Sequence, residues 1–386
     1  MKKLFGRLIK TDFGIALLIV IGWKILLTTL GFIPSINSDS GAGLLDHTMY
    51  WDAGWYTTII TDHYSTNLAS AAFYPLFPLL VGIVNLLSFN ALGIPLAGQL
   101  VNTVAVWFAV TALIKLSREI LGKENKYWLV AMVLAAPAAF FMHVFYSEAV
   151  FMAVSLWAYY FALKRQWLGV GILLAVLSAA RLPALLIIAL CGLEFLRAYD
   201  WNLKKVFNKN LLYFLLVPIG FIAYVIYLSI VQHDPLGMFH AYAHTNDWAY
   251  QVFNPNILET IAKSGYQVIR AVIGVRPIDS ELIVNILLPL ASIILLALSS
   301  VYLFIKHRKK YLPLAIVGIL SLIMFTLNSN IVSVHRYILP SLTIYVAIAL
   351  LAKHIKKPII IYAWCIIGIA IQIVLFYLFA THRFAG

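Results

Sequence analysis

Long apolar runs, separated by short polar connections, set the pattern of this chain. Most runs are about 15 to 25 residues long, the length that an α-helix needs to cross roughly 30 Å of hydrocarbon. The alternation typical of membrane-spanning β-strands does not occur in them. The pattern therefore predicts an all-α polytopic membrane protein, one domain over residues 1–386, with about eleven spanning helices. These lie near residues 13–33, 93–116, 127–142, 145–163, 167–180, 182–197, 211–231, 282–305, 311–327, 337–352 and 358–380.

Two apolar segments do not fit this pattern directly. The stretch 73–90 is interpreted as a juxtamembrane or re-entrant segment, because a full crossing there would move the basic residues of 115–126 to the other side of the membrane. The run 167–197 has about 31 residues, which would make a helix of roughly 46 Å, too long for one comfortable crossing. Arg181-Leu182-Pro183 at its middle supplies a charge and a helix breaker, so we predict two short helices.

Composition and charge support the membrane assignment. Hydrophobic residues make up 63% of the chain and charged residues 11%, and the mean hydropathy is +0.92. The net charge of +13 could suggest nucleic acid, but most basic residues fall in short connections on one side of the predicted spans. This is the positive-inside pattern, and it predicts a cytoplasmic N-terminus and no nucleic-acid partner. Cys191 and Cys365 both lie in apolar runs and indicate neither a disulfide framework nor a metal site.

This topology leaves two long outer loops, 34–92 and 232–281, where we expect the function to lie. The second loop is rich in rings and polar groups, and such segments form amphipathic helices on membrane surfaces. No Walker loop or GxGxxG motif opening a nucleotide-binding fold is present, so a nucleotide-sugar donor and ATP coupling are unsupported. The polar and ring residues of the second loop are His233, Asp234, His240, Tyr242, His244, Asn246, Asp247 and Trp248.

The first outer loop contains two aromatic motifs, Tyr50-Trp51-Asp52-Ala53-Gly54-Trp55-Tyr56 and Phe73-Tyr74-Pro75-Leu76-Phe77-Pro78. A carboxylate in a partly desolvated site is suited to take a proton from a sugar hydroxyl, so Asp52 is the candidate base. The rings of Trp51 and Trp55 could hold a sugar face or a lipid headgroup. The alternative is that Asp52 caps a short helix and that the rings form an interfacial aromatic belt.

These motifs carry a family resemblance. Tyr50-Trp51-Asp52-Ala53 with Tyr56, the block Ala72 to Pro78, Phe145-Tyr146-Ser147-Glu148-Ala149, and Arg181 after a small-residue helix resemble the PIG-V family of mannosyltransferases, within the GT-C superfamily. The resemblance covers the first half of the chain; beyond Leu211 only the block His335 to Pro340 is similar. The chain departs from the family at His63-Tyr64, where Gly-Tyr is common, and at Leu182-Pro183, where Asn-Gly is common.

The resemblance implies a GT-C-like fold, a polyprenyl- or dolichyl-phosphate sugar as donor, inverting transfer and an extracytoplasmic site. A phosphate leaving group needs cations, and arginine suits it through its bidentate fork. Of the outer-face arginines Arg181, Arg270, Arg276 and Arg336, we select Arg181 and Arg336, with His335 adding a pH-dependent share. The alternative for both is snorkelling toward headgroups. Lys24, inside the first helix, is interpreted as snorkelling or paired.

Glu148 is the second candidate catalytic residue. Its roles stay open: it could position the acceptor, hold a divalent cation with Asp52, or cap its helix. No metal site is otherwise predicted, since the pair His240 and His244 lacks the glutamate of a metalloprotease motif. The predicted binding residues are Trp51, Trp55, Tyr56, Tyr74, Arg181, His335, Arg336 and Tyr337.

The sequence thus favours a membrane mannosyltransferase that acts on a glycan, glycolipid or protein acceptor. It would lie among the lipids of the plasma membrane in a prokaryote or of the endoplasmic reticulum in a eukaryote. A lipid or sugar transporter predicts charged groups at mid-membrane positions of repeated, broken helices, and no repeat is visible. A non-catalytic subunit of a glycosylation complex is the other alternative.

Overall fold

A computed structural model describes residues 11–38, 43–244 and 253–386, and of residues 35–38 only the backbone. Throughout these ranges the regular structure is helical, apart from an isolated antiparallel bridge between Phe253 and Asn328. The α-helices are α1 (Asp12–Ser38), α2 (Asp52–Asp62), α3 (Leu76–Leu87), α4 (Gly93–Leu121), α5 (Trp128–Leu134), α6 (Glu148–Leu163), α7 (Trp167–Ser178), α8 (Ala184–Ala198), α9 (Leu203–Val206), α10 (Ile219–Val231), α11 (Gly237–His240), α12 (Ile257–Val272), α13 (Ser280–Leu282), α14 (Leu288–Thr326), α15 (Val334–Tyr337), α16 (Leu342–His354) and α17 (Ile359–Ala380).

Short non-α turns connect several of these helices. A π-helical turn, Ile283–Leu287, leads into α14. The 3-10 turns are Asp46–Thr48, Leu68–Ala72, Lys123–Asn125, Ala139–Met142, Lys209–Leu216 and Ala241–Ala243.

Prolines explain where predicted spans differ from the observed helices. The hydrophobic pattern predicts one helix over 127–142, but α5 has only seven residues and the chain passes Pro137 before the next turn. The span 211–231 is likewise divided near Pro218 into a 3-10 turn and α10. Proline lacks the N–H that continues a helix and its ring clashes with the preceding turn, so both interruptions follow from the sequence.

Two predicted breaks are present in the structure. Arg181-Leu182-Pro183 lies in the turn between α7 and α8, which confirms the division of the run 167–197. The basic stretch 306–310, predicted to separate two spans, coincides with a kink in α14, where His307 and Tyr311 have non-helical backbone angles. The stretch 73–90 contains α3, whose twelve residues rise by about 18 Å, short of the hydrocarbon thickness.

Helix α4 is the centre of the packing and contacts α1, α3, α5 and α6, whereas α14 packs against α8 and α16. Of the apolar stretch of α4, 67% is buried, compared with 17% for the stretch Lys209–Val231, so α10 presents most of its apolar side chains outward. Five described segments are long and apolar enough to cross a membrane. The all-α membrane fold is thus confirmed, while the number of eleven crossings stays a prediction.

Candidate active site

The irregular segment that precedes α6 is fixed by side chains from the first helices. The backbone oxygen of His143 accepts hydrogen bonds from Gln99 Nε2 at 2.9 Å and from Lys24 Nζ at 3.4 Å. Lys24 also donates to Gln99 Oε1 at 3.2 Å, so this intramembrane lysine is paired inside the protein. Asn102 Nδ2 donates to the oxygen of Val144 at 2.6 Å. These bonds satisfy backbone groups that would otherwise be buried without partners, and they fix the start of α6.

The first outer loop is attached to this same segment. The hydroxyl of Tyr146 accepts a hydrogen bond from the Asp52 N–H at 3.1 Å and lies 3.2 Å from the backbone oxygen of Tyr50, to which it donates. Tyr56, one turn further along α2, donates to Ser147 Oγ at 2.8 Å. Asp52 is the first residue of α2 and does not cap it. Its carboxylate is directed to a partner elsewhere in the chain.

That partner is Arg336. Its Nη2 donates to Asp52 Oδ2 at 2.7 Å, and its Nε donates to Glu148 Oε1. Arg181 Nη1 lies 2.7 Å from the same Glu148 oxygen. These four residues, Asp52, Glu148, Arg181 and Arg336, form what we call the carboxylate–arginine cluster. It contains two carboxylates and two guanidinium groups, so its formal charges balance, as buried charges require.

Burial differs within the carboxylate–arginine cluster. The side chains of Glu148 and Arg336 are only 1% and 4% exposed, whereas those of Arg181 and Asp52 are 15% and 27% exposed. Arg336 is therefore the enclosed member that joins the two acids, and Arg181 and Asp52 form the accessible side. Both arginines bond to carboxylates of the protein, which differs from the solvent-directed head of a snorkelling residue.

Aromatic rings surround the guanidinium groups. The guanidinium carbon of Arg336 lies 4.5 Å from the ring centre of Tyr146, 4.9 Å from Phe141 and 5.7 Å from Tyr337. Arg181 lies 5.4 Å from the Tyr337 ring. Ring faces attract cations, so these contacts help to hold both arginines in place. Tyr337, a predicted binding residue, thus contacts both arginines of the cluster.

The remaining predicted binding residues divide into exposed and inward-facing ones. Trp51 is 43% exposed and precedes Asp52, and Trp55 stacks on Phe73 with ring centres 5.7 Å apart. Tyr74 packs against Tyr224 at 5.2 Å instead, and burial raises the pKa of its hydroxyl to about 12. The outer-face arginines Arg270 and Arg276 lie at the end of α12 and just beyond it, and contact Tyr266 and Gln267.

His335 differs from its predicted behaviour. It is 6% exposed, and its Nε2 lies 3.2 Å from the backbone oxygen of Ala385, which can only accept. Burial lowers the pKa of His335 to about 4, and the charge of Arg336 acts in the same direction. The ring therefore stays neutral at neutral pH, so the expectation that its charge changes near neutrality is wrong. Tyr56 stays protonated too, because burial raises its pKa.

Two features of the site were not predicted from the sequence. Tyr242, from the second outer loop, is 43% exposed, and partial burial of its hydroxyl raises its pKa to about 12, with Tyr337, Tyr74 and Asp52 adding to the rise and Arg181 opposing it. Residues 382–386 contact both Trp51 and the Arg336 turn. The aromatic and charged residues that follow the last apolar run were the available signal for this segment.

The position between the two acids is filled by a guanidinium group. A divalent cation bound by both Asp52 and Glu148 would have to replace Arg336, which bonds to both. The described residues contain no group of three or more His, Cys, Asp and Glu placed to hold a metal ion. His240 Nδ1 donates to Asp234 Oδ2 at 2.8 Å. Asn246, Asp247 and Trp248 of the second loop lie outside the described residues.

The fold is similar to that of a solved membrane protein. The crystal structure of ArnT from Cupriavidus metallidurans bound to undecaprenyl phosphate superposes with a TM-score of 0.53 at 14% sequence identity. The similarity covers 94% of this chain and 76% of that chain. No family model and no curated protein matches the sequence. At this level of identity the comparison shows a common fold alone, in agreement with the all-α membrane fold expected from the sequence.

Proposed function

We propose that this protein is a membrane glycosyltransferase that uses a polyprenyl-phosphate sugar as donor. The observation that carries the proposal is the carboxylate–arginine cluster, in which an accessible carboxylate, Asp52, lies 2.7 Å from a guanidinium group. A proton acceptor next to fixed cations suits the transfer of a sugar away from a phosphate. The fold shared with ArnT, whose structure contains undecaprenyl phosphate, supports a lipid-linked donor.

The reaction follows from the positions of the charges. Asp52 accepts the proton of the acceptor hydroxyl, and the hydroxyl oxygen forms a bond to the anomeric carbon of the donor. The bond between that carbon and the phosphate oxygen breaks, and its electron pair stays on the phosphate. Arg181, the more exposed guanidinium, contacts the phosphate first, while Arg336 keeps Asp52 and Glu148 in place. Attack opposite the leaving group inverts the anomeric centre.

Arg181 and Arg336, rather than a divalent cation, supply the positive charge in this mechanism. Arg336 already occupies the position between Asp52 and Glu148 where a metal ion shared by both would lie. We therefore expect transfer to persist when the purified protein is assayed in EDTA. A loss of transfer in EDTA that added Mg²⁺ or Mn²⁺ restores would contradict this assignment and favour a metal ion held by the carboxylates.

We further infer mannose as the transferred sugar and a PIG-V-like enzyme, supported by the motifs around Asp52, Glu148 and Arg181. The decisive assay incubates purified protein with radiolabelled polyprenyl-phosphate mannose and, in parallel, with the glucose analogue. Transfer or slow hydrolysis that depends on Asp52 supports the enzyme. Movement of intact lipid between vesicle leaflets without cleavage would indicate a transporter. Neither cleavage nor movement would favour a non-catalytic subunit.

We propose an extracytoplasmic site and a cytoplasmic N-terminus, from the distribution of basic residues. Single cysteines at exposed positions can test this orientation in intact cells. Cysteines at Ser65 and Lys263 should react with an impermeant maleimide added outside, while one at Glu124 should not. Labelling of the cysteine at position 124 would show that the orientation is the reverse of the one proposed. Cys191 is buried and Cys365 is partly buried, which keeps the background low.

A further inference from the structure

Trp51 has a backbone conformation that a tryptophan rarely adopts. Its φ is 57° and its ψ is −116°, and the turn around it is closed by a hydrogen bond from the Ala53 N–H to the Tyr50 oxygen at 3.3 Å. These angles match the second residue of a type II′ turn, a position dominated by glycine. A bulky side chain there is strained and persists only where surrounding contacts maintain it. The strain lies directly before Asp52.

The Tyr146 hydroxyl bonds to the backbone on both sides of Trp51, whereas the ring contacts to the Trp51 side chain come from the other end of the described chain. Phe384 meets the Trp51 ring edge-on, with centres 5.6 Å apart at 89°. His382 lies 5.5 Å from the same ring and stacks on Tyr50 at 4.5 Å. We call residues 382–386 the strap.

The strap is also attached to the turn that contains Arg336. His335 Nε2 donates to the Ala385 oxygen at 3.2 Å, and Arg336 Nη1 lies 3.5 Å from the oxygen of Gly386. Ala385 is 1% exposed, so this part of the strap is enclosed. One short segment thus contacts both sides of the Asp52–Arg336 ion pair: the strained turn that precedes the acid and the turn that carries the arginine.

We propose that the strap is a positioning element that holds Trp51 in its strained turn and thereby fixes the Asp52 carboxylate relative to Arg336. This inference rests on the proposed function for its catalytic consequence. The strap does not contact reacting atoms in this proposal, and Phe384 acts through Trp51. Small displacements of a catalytic group are costly, so loosening the turn slows turnover more than it weakens donor binding.

The test is a double-mutant cycle on kcat and donor KM with Phe384→Ala and Trp51→Gly. Phe384→Ala should lower kcat by about tenfold with little change in KM, because the acid is misplaced. Phe384→Tyr, which keeps the ring, should restore kcat, and Phe207→Ala, at a ring that is 77% exposed, is the control. Trp51→Gly loses its own ring contacts, but glycine adopts the turn without help. Adding Phe384→Ala to it should then change kcat by less than twofold. Additive effects of the two substitutions would overturn the proposal.

A second measurement does not require turnover. Fluorotryptophan can be incorporated and its fluorine resonance from Trp51 assigned with Trp51→Phe. The resonance should shift or broaden in Phe384→Ala and be unchanged in Phe207→Ala. An unchanged Trp51 resonance in Phe384→Ala would refute the strap even if the protein transfers sugar. A shifted resonance in a protein that transfers no sugar would instead reject the proposed function and leave the contact intact.

Discussion

The two outer loops are both rich in aromatic and histidine rings, but they have different structural roles. The first, described over residues 43–92, is attached to the segment before α6 by hydrogen bonds from Asp52 and Tyr56 to Tyr146 and Ser147. The second, described over 232–244 and 253–281, is attached to the segment that follows α14, where the Thr260 hydroxyl donates to the Asn328 oxygen at 2.6 Å. Among the described residues of the two loops, only Asp52 of the first belongs to the carboxylate–arginine cluster.

The second loop presents a different surface. Helix α12 buries small and polar residues such as Thr260 and Ser264, while Leu258 and Val272 are 80% and 78% exposed. An apolar stripe on a helix just outside the spans is typical of helices that lie in the membrane interface. The difference between the loops is that the backbone of the first is anchored beside Glu148, which is why we propose the catalytic role for the first loop. The predictions below test this distinction.

The largest effect is expected at the anchored loop. Asp52→Asn keeps the shape of the side chain but removes the base, so kcat should fall on the order of 10²-fold or more. Asp62→Asn is the matched control, because Asp62 ends the same helix and bonds only locally, with Thr66 Oγ1 donating to its carboxylate at 2.8 Å. Near-normal transfer by Asp52→Asn, measured with the labelled donor, would move the base assignment to Glu148.

Arg336 should be the next most sensitive position. Lysine keeps the charge but cannot bond to Asp52 and Glu148 at once through a planar fork, so Arg336→Lys should lower donor kcat/KM on the order of tenfold. Arg336→Ala should be nearly inactive and less stable, because it leaves Glu148 buried without that partner. Arg270→Lys, in the second loop, is the control. Wild-type values for Arg336→Lys would show that the planar fork of Arg336 is not needed to hold Asp52 and Glu148 in place.

Much of the fold follows from the sequence because membrane spans have a simple signal. Run length predicts the helices, and proline and charge predict the breaks, as at Arg181-Leu182-Pro183. Missed boundaries, such as the end of α5 before Pro137, reflect local breaks inside runs that stay apolar. Hydropathy does not distinguish a helix from an irregular turn that is buried in protein.

The site was predictable as a set of residues but not as an arrangement. Asp52, Glu148, Arg181 and Arg336 are each unusual in their context, since a charge flanked by rings near a membrane needs a partner or a function. That Arg336 joins both acids depends on contacts between residues up to 284 positions apart, which no local pattern encodes. The positive φ of Trp51 could not be predicted from the sequence, because no glycine or asparagine stands at this position of the turn.

His335 gives a stability prediction rather than a catalytic one. Its pKa is lowered to about 4 in the folded protein, against about 6.5 when unfolded. As the pH falls, the unfolded chain therefore binds a proton at this position before the folded protein does. The contribution of His335 to the free energy of unfolding is fully present above pH 6.5 and is lost as the pH falls toward 4, by at most about 3 kcal/mol. Thermal unfolding in detergent should show a smaller loss of Tm over this range in His335→Asn than in wild type. An equal change of Tm with pH in the two proteins would contradict the burial of a neutral His335 ring. His240→Asn, at an exposed histidine, is the control.

The smallest effect on turnover is expected in α12, because we expect its exposed apolar stripe to contact lipid rather than substrate. Ile269→Ser should leave kcat within about twofold of wild type, since interfacial burial of one side chain contributes little to the geometry of the site. The stripe itself can be detected in nanodiscs with single cysteines at Ile269 and Lys263, which are 57% and 65% exposed in the protein alone. A water-soluble maleimide should label position 263 about ten times faster, because lipid shields position 269 and not the polar face. Equal labelling rates would show that both faces of α12 are exposed to water. A loss of turnover in Ile269→Ser as large as that in Asp52→Asn would mean that the second loop, too, is part of the catalytic machinery.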